Sequence, residues 1–145
     1  MKTEAQTVVG SDGRAKAYRP LADQERAVAL EAGLAAYDRG DYFEAHELLE
    51  PAWMGTDDRA ERALLQGLIK LAAAYVHSVR GNPQGIARNL EGARTRLEEA
   101  YEDGRHTAGL DLDGLLRDID VRLAQLAADP DRQPSPAPNL RRTAG

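Results

Sequence analysis

The chain has 145 residues, 42% hydrophobic, 30% charged and 5% aromatic, with a formal net charge of -5, the size and composition of one globular domain. Its acidic balance argues against nucleic acid or an anionic membrane as the main partner, because affinity for either rests on clustered Lys and Arg neutralising phosphates. With no cysteine, disulfides, thiolate nucleophiles and Cys-ligated zinc or iron–sulfur centres are excluded.

Residues 1–20 mix charges through the stretch and contain no apolar run. They read as a flexible N-terminal segment rather than a signal peptide or membrane span, with the cytoplasm as the expected compartment. At the other end, 129–145 sets four prolines among polar residues and reads as a Pro-rich disordered tail. Between them, 21–128 reads as a helical domain without a convincing strand, because apolar residues recur at three and four and Gly, Pro or Asp punctuate them.

The first predicted helix runs from an Asp23 N-cap to Arg39, with Ala27, Leu30, Leu34 and Tyr37 on one face and Gly40 as its C′ glycine. The second opens at Asp41, paired with Glu44 in a capping box, and ends near Trp53 and Met54. Pro51 lies inside it and predicts a kink or an early stop, since proline removes a backbone donor and presses on the preceding turn. A second capping box, Asp58 with Glu61, starts the third and central helix, which continues to Gly81. On its wheel Arg62, Gln66, Lys70, Ala73, His77 and Arg80 form a narrow polar stripe, and leucines and alanines fill the rest. Asn82 and Pro83 form an N-cap and N1 pair opening the fourth helix, which Asp103 and Gly104 close after Tyr101. After a loop at 104–110, Leu112, Leu115, Leu116, Ile119, Leu123 and Leu126 define a fifth helix capped by Asp111 or Asp113. Five helices with short links imply an all-α compact bundle of antiparallel neighbours.

Chemistry concentrates in the segment FEAHELLEPAW, Phe43 to Trp53. His46 and Glu50, four residues apart, share the margin of the apolar face and can hold one divalent metal ion from a single helix. Glu47 projects further out, and Glu44 serves as a cap. His77 is the obvious further ligand. Yet if the second and third helices form an antiparallel hairpin about Thr56, His46 lies level with Gln66, and His77 stands roughly 16 Å beyond at 1.5 Å per residue. Gln66, with Lys70 one turn above, is the better neighbour. His106 falls in a loop and reads as incidental.

The chain has no GxSxG, glycine-rich phosphate loop or HExxH. The favoured reading is a polar pocket bordered by His46, Glu50, Gln66 and Lys70, with Trp53 and Tyr42 as walls, that takes a small molecule or a protein partner's side chain. The enzyme alternative is metal-assisted hydrolysis, with His46 and Glu47 or Glu50 as ligands and a neighbouring carboxylate as base. A third reading is an interaction module, in which an apolar groove beside the hairpin of the first and second helices accepts a helix or an extended peptide.

The run GDYFEAHELLEPAW, followed by ALLQGLIKLAAAYVHSVRGNPQGIARNLEGARTRL, closely resembles the bacterial family called domain of unknown function 309, over about residues 24 to 126. Its characteristic positions fall on Phe43, Glu44, His46, Glu47, Glu50 and Trp53, then on Gln66, Gly67, Leu68, Ile69, His77, Gly81 and Asn82. The resemblance implies a compact helical bundle and brings with it the label of metal-dependent hydrolase. The stretch from Gly33 to Ala52 is also similar to a tetratricopeptide hairpin. It occurs in one copy, however, where a solenoid needs about three.

Overall fold

A computed structural model describes residues 6–9, 15–79, 81–131 and 135–143. Five helices carry the fold: α1 (Asp23–Asp38), α2 (Tyr42–Met54), α3 (Arg59–Val79), α4 (Pro83–Asp103) and α5 (Leu112–Ala128). Each packs on its neighbour in sequence, most extensively α3 on α4, as short links between antiparallel helices require. The all-α bundle read from periodicity is therefore the architecture observed. Among the described residues, no helix is long and apolar enough to cross a membrane.

The core gathers on α3, whose Leu64, Leu65, Leu68, Leu71, Ala72 and Tyr75 are buried between α2 and α4. Gly67 allows a close approach: a Cβ there would lie 2.7 Å from Leu97 of α4, a fully buried side chain. Four of the expected caps form, with Asp41, Asp58, Asn82 and Asp111 accepting from the amides of Glu44, Glu61, Gly85 and Gly114. Gly40 and Gly104 take left-handed conformations, φ 81° and 77°, that a Cβ would oppose.

Several local expectations are corrected. Ala22, not Asp23, occupies the N-cap of α1 and makes no side-chain cap; Asp23 instead pairs with Arg26 at 2.6 Å. The capping boxes are half built, because Glu44 turns to Arg39 and Glu61 to Arg26. Pro51 does not end α2, and the helix continues to Met54. Pro51 is exposed, so water can take the bond its missing N–H would have given the Glu47 carbonyl. Arg62, assigned to the polar stripe, is buried, drawn inward by the carbonyls of Trp53 and Thr56 at the end of α2. Arg80, the last member of that stripe, lies outside the described residues.

Two segments outside the helices follow paths that helical periodicity does not announce. Strands β1 (Gln6–Val9) and β2 (Ala15–Tyr18) pair antiparallel, Gln6 opposite Tyr18, within the stretch expected to be a flexible N-terminal segment; the β-branched run Thr7, Val8, Val9 was the available signal. Beyond them, Arg19 and Leu21 donate to the carbonyls of Met54 and Gly55. At the other end, residues 135–143 lie along the bundle as a strap. Pro138 is fully buried, and its carbonyl accepts from the Tyr37 hydroxyl at 2.8 Å. The Asp111 amide donates to the Arg141 carbonyl, the Thr143 amide donates to Gly109, and Arg142 forks onto both oxygens of Glu31.

Candidate functional site

On α2, Ala45, Leu49 and Ala52 are buried, one inward face at helical spacing. This orientation leaves His46, Glu47 and Glu50 along the flank, His46 and Glu50 half-buried and Glu47 exposed. Each offers one ligand atom, and these three atoms lie within 4.8 Å of one another. His46 Nδ1 is 3.4 Å from the nearer Glu47 oxygen. Glu47, one position on from His46 and expected to project away, swings its carboxylate back to the imidazole. A nitrogen and two carboxylates form a donor set suited to zinc and the neighbouring divalent transition metals, with bonds of about 2.0–2.2 Å. Three ligands from one helix flank leave the remaining coordination positions open.

The other residues expected around His46 are engaged elsewhere. Tyr42 stacks edge-on to Tyr37, centroids 5.3 Å apart, and lies 5.6 Å from Tyr75, making an aromatic cluster in the core rather than a pocket wall. Burial in that cluster pushes the Tyr75 phenol up to about 12. Trp53 is half-buried beneath the Arg62 guanidinium, 4.9 Å from its ring centroid. Lys70 runs over Gly92 of α4, where a Cβ would come within 2.9 Å of its stem. His77 belongs to the α3–α4 turn, its Nδ1 3.2 Å from Asn82 Nδ2, in keeping with its distance from the His46 level. Gln66 is half-buried, and among the described residues it makes no side-chain hydrogen bond to His46 or Glu50. None of the described cavities is lined by His46, Glu50, Gln66, Trp53 or Tyr42. The structure thus brings the three ligand atoms of the His/Glu/Glu group together.

His106, read as incidental, faces the N-cap of α3: its Nε2 is 3.6 Å from Asp58 Oδ1, and Arg105 Nη1 is 3.8 Å from Oδ2. Asp58 also accepts from the Glu61 amide at 3.0 Å. That bond, reinforced by the charges of His106 and Arg105 and opposed by partial burial, holds its carboxyl below the usual carboxylate range. No local motif joins Asp58 to His106, because the two meet only when α3 and the 104–111 loop come together.

Fold and cluster define a small all-helical bundle bearing a His/Glu/Glu group on its second helix. Residues 30–89, which contain that group, match the model of the family described as domain of unknown function (DUF309). Among curated proteins, the chain is 36% identical over 76 residues to the uncharacterized protein YpuF of Bacillus subtilis (strain 168), covering 52% of this chain and 43% of that protein. The matched stretch thus spans less than half of that relative. Both matches agree with the DUF309 resemblance carried by the α2 and α3 motifs. No solved structure matches the chain.

Proposed function

We propose that the chain binds one divalent transition-metal ion through His46, Glu47 and Glu50 on the flank of α2. The observation that supports this reading is the convergence of three ligand atoms within 4.8 Å, close enough for small side-chain rotations to bring them around one ion. Ala45 and Leu49 anchor the same helix in the core, so the ligands stand on a rigid element. A bound ion with open positions would polarise a water molecule, the chemistry that metal-assisted hydrolysis uses. A hydrolase also needs a cleft for its substrate beside the ion, so ion binding by itself is the reading that these three ligand atoms support.

The test is to strip the untagged protein with chelator and titrate it with Zn2+, Co2+, Ni2+ and Mn2+ by calorimetry, with thermal unfolding in parallel. One ion per chain is expected, with a stabilisation of about 2.7 kcal/mol at a hundred times the dissociation constant. Binding should disappear in His46→Ala and weaken in Glu50→Gln. A wild-type protein that takes up no ion and shows no shift would overturn the proposal.

A further inference from the structure

A cleft of about 610 Å3 runs between the first half of α4 and the last turns of α5, within the size range of small-molecule sites, about 300–1,000 Å3. It shares no residue with the α2 cluster. Its floor is apolar, formed by Ala87 of α4 and by Leu123 and Leu126 of α5, while its two charged residues, Glu91 and Asp131, are both acidic and both exposed. Among the described residues no cationic side chain lines it, and neither carboxylate has an ion-pair partner, Arg88 one turn before Glu91 included. Two other arginines of these helices are engaged elsewhere: Arg94 bridges Glu98 and Asp120, and Arg122 donates to the carbonyls of Asp118 and Pro136.

The end of α5 adds to this excess of negative charge. The helix carries no basic residue in its last turn and runs into Asp129, so Asp129 and Asp131 stand at the electronegative pole of the helix dipole, where a cation is favoured and a carboxylate is not. Pro130 has no N–H to return to the Leu126 carbonyl, and the Asp131 amide donates to the Asp129 carboxylate at 3.2 Å. Acceptors therefore collect at this end of the cleft, and Glu91 forms a second negative centre further along it. The Arg94–Asp120 pair sets the register of the two antiparallel helices. Glu91 then lies level with Leu123, and Asp131 stands about eight residues beyond, roughly 12 Å along the axis at 1.5 Å per residue. A simple cation would meet one centre and leave the floor uncovered. A molecule with an ammonium group at each end and an aliphatic stem between them meets both centres and covers the apolar surface that separates them.

We propose that this cleft binds an aliphatic diamine. One ammonium group is directed to Glu91, the other to Asp131 and the C-terminal end of α5, and the methylene stem lies along Ala87, Leu123 and Leu126.

The experiment titrates the 15N-labelled full chain, with chelator present so that the α2 cluster holds no ion, with 1,8-diaminooctane at millimolar concentrations. Beside it run octylamine, which keeps one ammonium group, and octanoate, which has none. Saturable amide shifts are expected at 84–91 and 123–131, weakening as salt is added, with octylamine weaker than the diamine by about fivefold and octanoate without effect. Glu91→Gln, an exposed change of the same shape that leaves the core intact, should bring the diamine down to the affinity of octylamine. No saturable shift, shifts confined to other regions, octylamine or octanoate binding as tightly as the diamine, or an unchanged diamine affinity in Glu91→Gln would each overturn the proposal.

Discussion

The Arg62 guanidinium stands 4.9 Å from the centroid of the Trp53 ring and donates at 3.0 Å to the carbonyl oxygen of the same residue. A second bond, 2.9 Å to the Thr56 carbonyl, completes its grip on the end of α2. The side chain is 6% exposed and forms no carboxylate ion pair among the described residues; burial lowers its affinity for a proton. The compensating charge comes from the helix end itself, whose unsatisfied carbonyls make the α2 C-terminus electronegative. Arg62→Ala would leave two buried acceptors bare and uncover the tryptophan, for an expected loss of about 2–4 kcal/mol in urea unfolding. Arg62→Lys should recover only part of this, since an ammonium group cannot span both carbonyls and lie flat on the ring. A neutral result for alanine would remove the helix-end role.

Gly67 and Leu97 mark a close contact between α3 and α4. Gly67→Ala places a methyl group 2.7 Å from Leu97, and overpacking of that kind costs about 1–3 kcal/mol, more than the gain in helix propensity of about 1 kcal/mol. The double variant Gly67→Ala, Leu97→Ala should lose less than the sum of the single variants, because the smaller side chain makes room for the added methyl. Additive losses in denaturant titrations would place the strain elsewhere.

Asp58 predicts an acid limb in stability. Its carboxyl titrates lower in the folded protein than in the unfolded chain, so its contribution is complete above the unfolded value, about 3.9, and is lost as pH falls through the folded one. Asp58→Asn keeps the cap for the Glu61 amide and should flatten this limb. Asp58→Ala should cost about 1 kcal/mol near neutrality. Parallel acid limbs in the wild type and the asparagine variant, measured by thermal unfolding across pH, would assign the effect to other groups.

Tyr37→Phe removes the hydroxyl donated to the Pro138 carbonyl while keeping the buried ring. A loss of about 1 kcal/mol is expected, accompanied by faster proteolytic cleavage in 135–143. Burial holds the Tyr37 phenol well above its ordinary value, so the hydroxyl remains a donor throughout the ordinary pH range. Unchanged cleavage would mean that the strap is held by other contacts.

Much of the fold was legible because helices are local. Asp41, Asn82 and Asp111 each announce a cap within three residues of the amide they serve, and the leucines of α5 repeat at helical spacing. His46 and Glu50 were legible for the same reason, their separation being one helical turn. Glu47 was placed too far out, because backbone spacing fixes the direction of Cβ but not the rotamer that returns the carboxylate. Arg62 was unreadable as a buried group since its acceptors are backbone carbonyls, which no residue type encodes. The cleft bordered by Glu91, Leu123 and Asp131 joins segments distant in the sequence, and the strap is anchored by one buried proline and isolated polar bonds, so neither leaves a period in the sequence.

The strap also sets the order in which the molecule can form. Helices packed on their sequence neighbours give a low contact order, and such bundles fold quickly. The Tyr37–Pro138 and Glu31–Arg142 contacts instead bridge 101 and 111 residues, and their partners come into reach only after α1 and α5 are held by the intervening helices. Closure of the strap is therefore expected to follow the packing of the helices, as a clasp fastened over a bundle already formed.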